Sequence, residues 1–83
     1  MASAAAIQND TIWLQPTGYS IVSLNSKLST HVPELARALG NGVPGLPDTS
    51  RDGFYDVELD GGRSYIHIHA NARTVYLVAF SRN

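Results

Sequence analysis

Residues Phe54 to Ser81 read FYDVELDGGRSYIHIHANARTVYLVAFS, and this stretch decides the fold, because its alternation predicts three consecutive antiparallel strands. Gly61-Gly62 is a two-residue hairpin signal, since both positions accept the positive φ that a tight turn needs. Asn71-Ala72 marks the second turn. Side chains alternate strictly along a strand, and the two turns agree on which side of the sheet is aliphatic. The stretch therefore predicts a meander with two unlike faces.

The predicted register sets the members of each face. A loop at Gly61-Gly62 pairs Asp56 with His67, and the second loop pairs His67 with Tyr76 and Tyr65 with Val78. The aliphatic face then collects Tyr55, Val57, Leu59, Ile66, Ile68, Val75, Leu77 and Ala79. The opposite face carries Phe54, Asp56, Glu58, Arg63, Tyr65, His67, His69, Thr74, Tyr76, Val78 and Phe80. A solvated face usually carries Thr, Lys, Glu and Ser, so its aromatic and imidazole content indicates a binding surface.

The N-terminal part of the chain is rich in β-formers. Thr11 to Gln15 and Tyr19 to Leu24 predict two strands, joined by a turn at Pro16-Thr17-Gly18 into a β-hairpin. An alternative is that Ile21 to Leu28 already belongs to a helix. Residues 1–9 are small and polar, and we expect them to be disordered.

One short helix is predicted over Thr30 to Leu39. Its apolar stripe has the spacing i, i+3, i+4, i+7 and consists of Val32, Leu35, Ala36 and Leu39. Gly40 stands where a helix ends. Residues 41–53 contain three Gly and two Pro and predict a long flexible loop. The sequence therefore predicts one α+β domain over residues 10–83, with the helix packed on the aliphatic face of the meander.

Composition excludes several classes of function. The formal net charge is −1, and the six basic residues are scattered, which argues against a nucleic-acid partner. There is no cysteine and hence no disulfide or thiolate site. No stretch approaches the ~20 apolar residues that span a bilayer. We expect a cytoplasmic bacterial protein without membrane contact.

The aromatic face is interpreted first as a protein–protein interface. Tyr and Phe at a lightly charged surface are typical of interface centres, and the low net charge favours self-association. We therefore predict a non-enzymatic interaction module, a homodimer or a subunit of an assembly. Its binding residues are Tyr65, His67, His69, Tyr76, Val78 and Phe80. The alternative is that the N-terminal hairpin covers this face internally, as ordinary core.

A second hypothesis is a metal or ligand site, with hydrolase or toxin-like nuclease activity. His67 and His69 are two residues apart on one strand, and the predicted register puts Asp56 beside His67. Two imidazoles and a carboxylate suit Zn²⁺ with an open position, although structural sites use four protein ligands. Phosphate-binding and hydrolase motifs are absent from the sequence. No cofactor is predicted, and a non-enzymatic role is favoured.

The strand Arg73 to Phe80, RTVYLVAF, resembles the C-terminal strand of RelE/ParE-type bacterial toxins. In that family this strand closes a small sheet. The resemblance covers about a dozen residues, and the long N-terminal helical hairpin and the strongly basic surface of those toxins have no counterpart here. No functional residue is carried over from that family.

Overall fold

The structure, a computed structural model, describes residues 10–82. The elements in chain order are β1 (Ile12–Leu14), β2 (Ser20–Ser23), a 3-10 helix (Ser26–His31), α1 (Val32–Asn41), β3 (Val43–Pro47), β4 (Phe54–Leu59), β5 (Gly62–His69) and β6 (Thr74–Arg82). The strands form one six-stranded sheet in the order β1-β3-β4-β5-β6-β2. All neighbours are antiparallel except β2, which runs parallel to β6. The predicted disorder of residues 1–9 lies outside the described residues.

The α+β class and the docking of the helix are confirmed. The core is a single cluster formed by Leu14, Leu35, Leu39, Val57, Leu59, Ile66, Val75 and Leu77. Leu35 and Leu39 come from α1, and both are essentially fully buried against the aliphatic face of the sheet. The helix begins two residues later than predicted because residues 30 and 31 belong to the preceding 3-10 helix. It ends two residues later because Gly42, with φ +88°, forms the C-cap instead of Gly40.

The predicted N-terminal hairpin is wrong. β1 and β2 both form, but they lie at opposite edges of the sheet, where β1 pairs with β3 and β2 pairs with β6. The partner of β1 comes from the segment 41–53, which was predicted to be a loop throughout but contains β3. β2 gains the nine-residue β6 as its neighbour, and β1 joins a six-stranded sheet through the five-residue β3; an isolated two-stranded hairpin provides neither.

The link between the two edge strands requires the sheet to coil. Leu14 and Ser20 are six residues apart in the chain, a reach of at most about 21 Å. Five spacings of about 4.8 Å make the sheet about 24 Å wide even without the offset along the strands. A flat sheet could not be bridged, so the sheet coils, and α1 packs on the side opposite the outer face.

The β4–β5 register differs from the prediction by two residues. Leu59 pairs with Gly62, so Asp60 and Gly61 form the turn, and Gly62 lies inside β5. A Cβ on Gly62 would clash with the carbonyl oxygen of Ser81 and lie 2.9 Å from the Cα of Arg82. Gly62 therefore serves the close approach of β6 rather than the turn. A shift of two residues preserves the alternation, so the predicted faces of β4 and β5 are correct.

A β-bulge corrects the assignment of Phe80. The predicted pairs of His67 with Tyr76 and of Ile66 with Leu77 are confirmed, but the register then shifts and Tyr65 faces Ala79 instead of Val78. A one-residue shift exchanges the two faces. Phe80 consequently lies on the helix side, where it packs against the core and stacks on His31 with ring centroids 3.6 Å apart. Ala79, predicted to be core, is exposed.

The outer side of the sheet, called the open face below, has four cross-strand rows of side chains. Two polar rows lie at its ends, Glu58, Arg63 and Ser81 at one end and His69, Thr74 and Ser20 at the other. The two rows between them are called the first and second row. The first row consists of Phe54, His67, Tyr76 and Val22, and the second of Leu46, Asp56, Tyr65, Ala79 and, beside them, Val78 and Leu24. Within residues 10–82, the 48–53 loop reaches one margin of this face, and the helices lie on the opposite side. The alternative that the N-terminal strands cover the face internally is therefore wrong.

Candidate interaction surface

The first row is a ladder of parallel rings across the central strands. Phe54 on β4 faces His67 on β5, with ring centroids 4.2 Å apart and planes 3° from parallel. Tyr76 on β6 follows at 6.0 Å from His67. Cross-strand aromatic pairs of this kind stabilise a sheet and also fix the direction of each ring. The ladder is thus a pre-ordered apolar surface rather than a set of mobile side chains.

The edge strand β2 extends this apolar surface. Val22 pairs with Tyr76 and is 44% exposed, and Leu24 is 58% exposed. A recess of about 300 Å³ is lined by Leu24, Arg51, Phe54, His67, Tyr76 and Val78. Large aliphatic side chains that line an open recess beside aromatic rings form a contiguous patch, and such patches mark interaction sites.

A hydrogen-bonded cluster holds the margin of the open face next to β4. The Tyr65 hydroxyl donates to Asp48 Oδ2, and Arg51 Nη1 lies 3.5 Å from the same hydroxyl oxygen. Asp48 also accepts from the backbone N–H and the hydroxyl of Ser50, at 3.0 and 2.9 Å. The Arg51 guanidinium lies 4.6 Å from the centroid of the Phe54 ring. The loop is therefore tied to the sheet through Tyr65 and Phe54.

The cluster shifts the ionisation of its members. The hydrogen bond from Tyr65, assisted by those from Ser50, lowers the pKa of Asp48. The same bond raises the pKa of Tyr65, because the neutral hydroxyl is the donor. The Tyr65 oxygen raises the pKa of Arg51. At neutral pH the cluster holds one carboxylate, one neutral phenol and one guanidinium.

The charges of the open face are few and unevenly placed. Arg63 and Glu58 form an exposed ion pair at 3.0 Å. Asp56 is half-buried in the second row between Leu46 and Tyr65. Within residues 10–82 its carboxylate makes no ion pair or hydrogen bond. A carboxylate in such surroundings needs a cation if it is to be covered.

The structure brings most of the predicted binding residues onto one surface. Tyr65, His67, Tyr76 and Val78 share the open face, and His69 lies at its margin with its ring 5.7 Å from that of His67. Phe80 is absent from it because of the bulge.

Four members of the surface escaped the sequence analysis, namely Val22, Leu24, Leu46 and Arg51. The alternation of residues 19–24 predicts a strand that contains Val22 and Leu24. The predicted partner of that strand is β1, whereas the structure pairs it with β6, which brings Val22 beside Tyr76.

The predicted metal ligands are not assembled. Asp56 pairs with Tyr65, and the neighbour of His67 on β4 is Phe54, so the carboxylate lies one row away from the imidazole. Residues 10–82 contain no group of three His, Asp or Glu side chains able to hold a metal ion. His67 is instead stacked between two aromatic rings.

Comparisons with known proteins identify no relative of this chain. No protein-family model, curated protein or solved structure matches this chain. In the described part of the chain, residues 10–82, no helix is long and apolar enough to cross a membrane.

Proposed function

We propose that this protein is a non-enzymatic self-association module that forms a homodimer through its open face. The observation that carries the proposal is the continuous aromatic and aliphatic surface of Phe54, His67, Tyr76, Val22 and Leu24. Its three rings are partly buried, Phe54 beneath Arg51, and its two aliphatic side chains are exposed. Interface centres are enriched in aromatic residues and depleted of charge.

The energetics favour covering this surface. Val22 and Leu24 are about half exposed, so removing the rest of each side chain from water contributes about 1 kcal/mol apiece. The rings of His67 and Tyr76 are already fixed by stacking, which reduces the side-chain entropy lost on binding. Association of one chain with itself is opposed by little charge repulsion, because the formal net charge is −1.

The test is solution mass by light scattering from micromolar to millimolar concentration, with a matched pair of variants. Val22→Asp places a carboxylate on the open face, and Ile12→Asp places one on the other edge strand and the other face, at nearly equal exposure of 44% and 46%. Both substitutions have the same cost in strand propensity. We expect wild type and Ile12→Asp to be dimers and Val22→Asp to be a monomer. A monomeric wild type, or equal effects of the two variants, would refute the proposal.

A further inference from the structure

Asp56 restricts how any partner can cover the open face. It is half-buried and borders two recesses of about 250 and 330 Å³, one toward β3 and one toward β6. Among residues 10–82, its only cationic neighbour at these recesses is Arg63, whose guanidinium pairs with Glu58 and forms no salt bridge with Asp56. Burying the carboxylate without a cation would cost several kcal/mol. A partner that brings a positive charge to this position would offset that cost.

The open face itself carries a suitable cation one row away. Arg51 is held over the Phe54 ring by the stacking contact and by the Tyr65 hydroxyl. A guanidinium has five N–H donors, so this single hydrogen bond leaves donors that can engage a carboxylate in the bidentate manner. The nearby carboxylate of Asp48 is occupied by Tyr65 and Ser50. Arg51 and Asp56 of the same chain form no salt bridge in the described structure.

Symmetry distinguishes two ways in which this face can meet its own copy with the strands aligned. A twofold axis parallel to the strands keeps each row over itself. Asp56 would then meet Leu46, Tyr65, Ala79 or its own symmetry mate, none of which is a cation. An axis perpendicular to the strands and between the two rows exchanges them. Each Asp56 then lies over Phe54 and Arg51 of the other copy.

The exchange of rows also places the remaining side chains of the two copies opposite each other. Tyr65 of one copy comes over His67 of the other, and Val78 comes over Tyr76. Leu24 comes over Val22 on the edge strand. Apart from Leu46, which comes over the position of Asp48 in the other copy, the apolar side chains meet aromatic or aliphatic ones, and the Asp56 carboxylate meets a guanidinium.

We infer that the partner of the open face is a second copy related by a twofold axis perpendicular to the central strands, with two symmetric contacts between Asp56 of one copy and Arg51 of the other. This inference rests on the proposed homodimer. It assigns Asp56 and Arg51 as the residues that fix orientation and select the chain's own copy, while the rings supply the contact area.

Charge reversal and its complementation test the pairing by sedimentation equilibrium. Asp56→Arg and Arg51→Glu each place like charges at both contacts, and each is expected to raise the dimer dissociation constant by at least about tenfold. An equimolar mixture of the two variants restores opposite charges at both contacts, and so does the double variant. Both should return to the wild-type range. Arg37→Glu, on the exposed side of α1, is the matched control and should leave the dissociation constant unchanged.

The outcomes separate this inference from the proposed function. Single variants that dimerise like wild type, or that weaken without recovery in the mixture, would overturn the pairing while the dimer stands. A wild type that is monomeric throughout would overturn the proposed function itself. Thermal unfolding establishes that each variant folds. If Asp56→Arg does not fold, Asp56→Asn replaces it, and an unchanged dissociation constant for Asp56→Asn would overturn the pairing.

Discussion

Tyr76 and Phe80 lie four residues apart on β6, and the bulge gives them opposite roles. Phe80→Ala removes a ring that is half-buried on the helix side and stacked on His31. A fully buried Phe→Ala change costs about 3–5 kcal/mol, so half of that plus a stacking contribution gives about 2–3 kcal/mol. For a domain of this size the melting temperature would fall by roughly 10–20 °C. Tyr76→Ala loses a cross-strand contact and strand propensity, about 1 kcal/mol.

The assay is urea unfolding at several protein concentrations, because a dimer adds a concentration-dependent contribution to stability that a monomer lacks. Phe80→Ala should lower the unfolding free energy at every concentration and keep the concentration dependence. Tyr76→Ala should lose the concentration dependence and change the low-concentration value least. If Tyr76→Ala proves the more destabilising at low concentration, or Phe80→Ala alone abolishes the concentration dependence, the assignment of the faces from the bulge is wrong.

Two further predictions concern backbone contact and pH. Gly62→Ala should destabilise the fold by at least about 1–3 kcal/mol, because the added Cβ clashes with the carbonyl oxygen of Ser81. Gly40→Ala should stabilise α1 by about 0.5 kcal/mol, because the added Cβ has no atom within 4 Å and alanine favours the helix. Thermal unfolding of both variants tests the two expectations. The hydrogen bond from Tyr65 lowers the pKa of Asp48 from 3.8. This bond therefore stabilises the fold at pH values above 3.8, and the stabilisation is lost as the pH falls below that value. Tyr65→Phe should therefore show a smaller drop in urea midpoint between about pH 6 and about pH 3 than wild type, and an equal drop would contradict the role of that bond.

The meander and the helix were predictable because both depend on local periodicity. The apolar spacing from Val32 to Leu39 identifies the helix, and the alternation of β4 and β5 assigns their faces even though the loop was placed at Gly61-Gly62. A two-residue error in register leaves every side chain on its correct face. The prediction failed where one residue is inserted, since the bulge exchanges the faces of Ala79 and Phe80 without any mark in the sequence.

Long-range pairing was beyond the reach of local reasoning. Pro44 and Pro47 argue against an inner strand because neither has an N–H for the ladder, yet β3 lies between β1 and β4. It is tolerated there because β1 is only three residues long and demands few hydrogen bonds. The contribution of Val22 to the candidate site depends on the parallel pairing of β2 with β6, which no turn signal encodes. The aromatic part of the site was therefore predictable, and its aliphatic edge was not.

The parallel pairing of β2 with β6 sets the order in which the strands can pair while the chain is being synthesised. The backbone N–H of Ser20 donates to the carbonyl of Arg73, so β2 finds its place only after β6 has emerged from the ribosome, whereas β1 needs only β3. Such non-local pairing slows folding and prevents stepwise assembly of the domain during translation. Until their partners are made, β1 exposes three strand residues and β2 exposes four, fewer than the six or seven that nucleate cross-β aggregates. Because the edge strands are short, the nascent chain is protected from aggregation during the time before they pair.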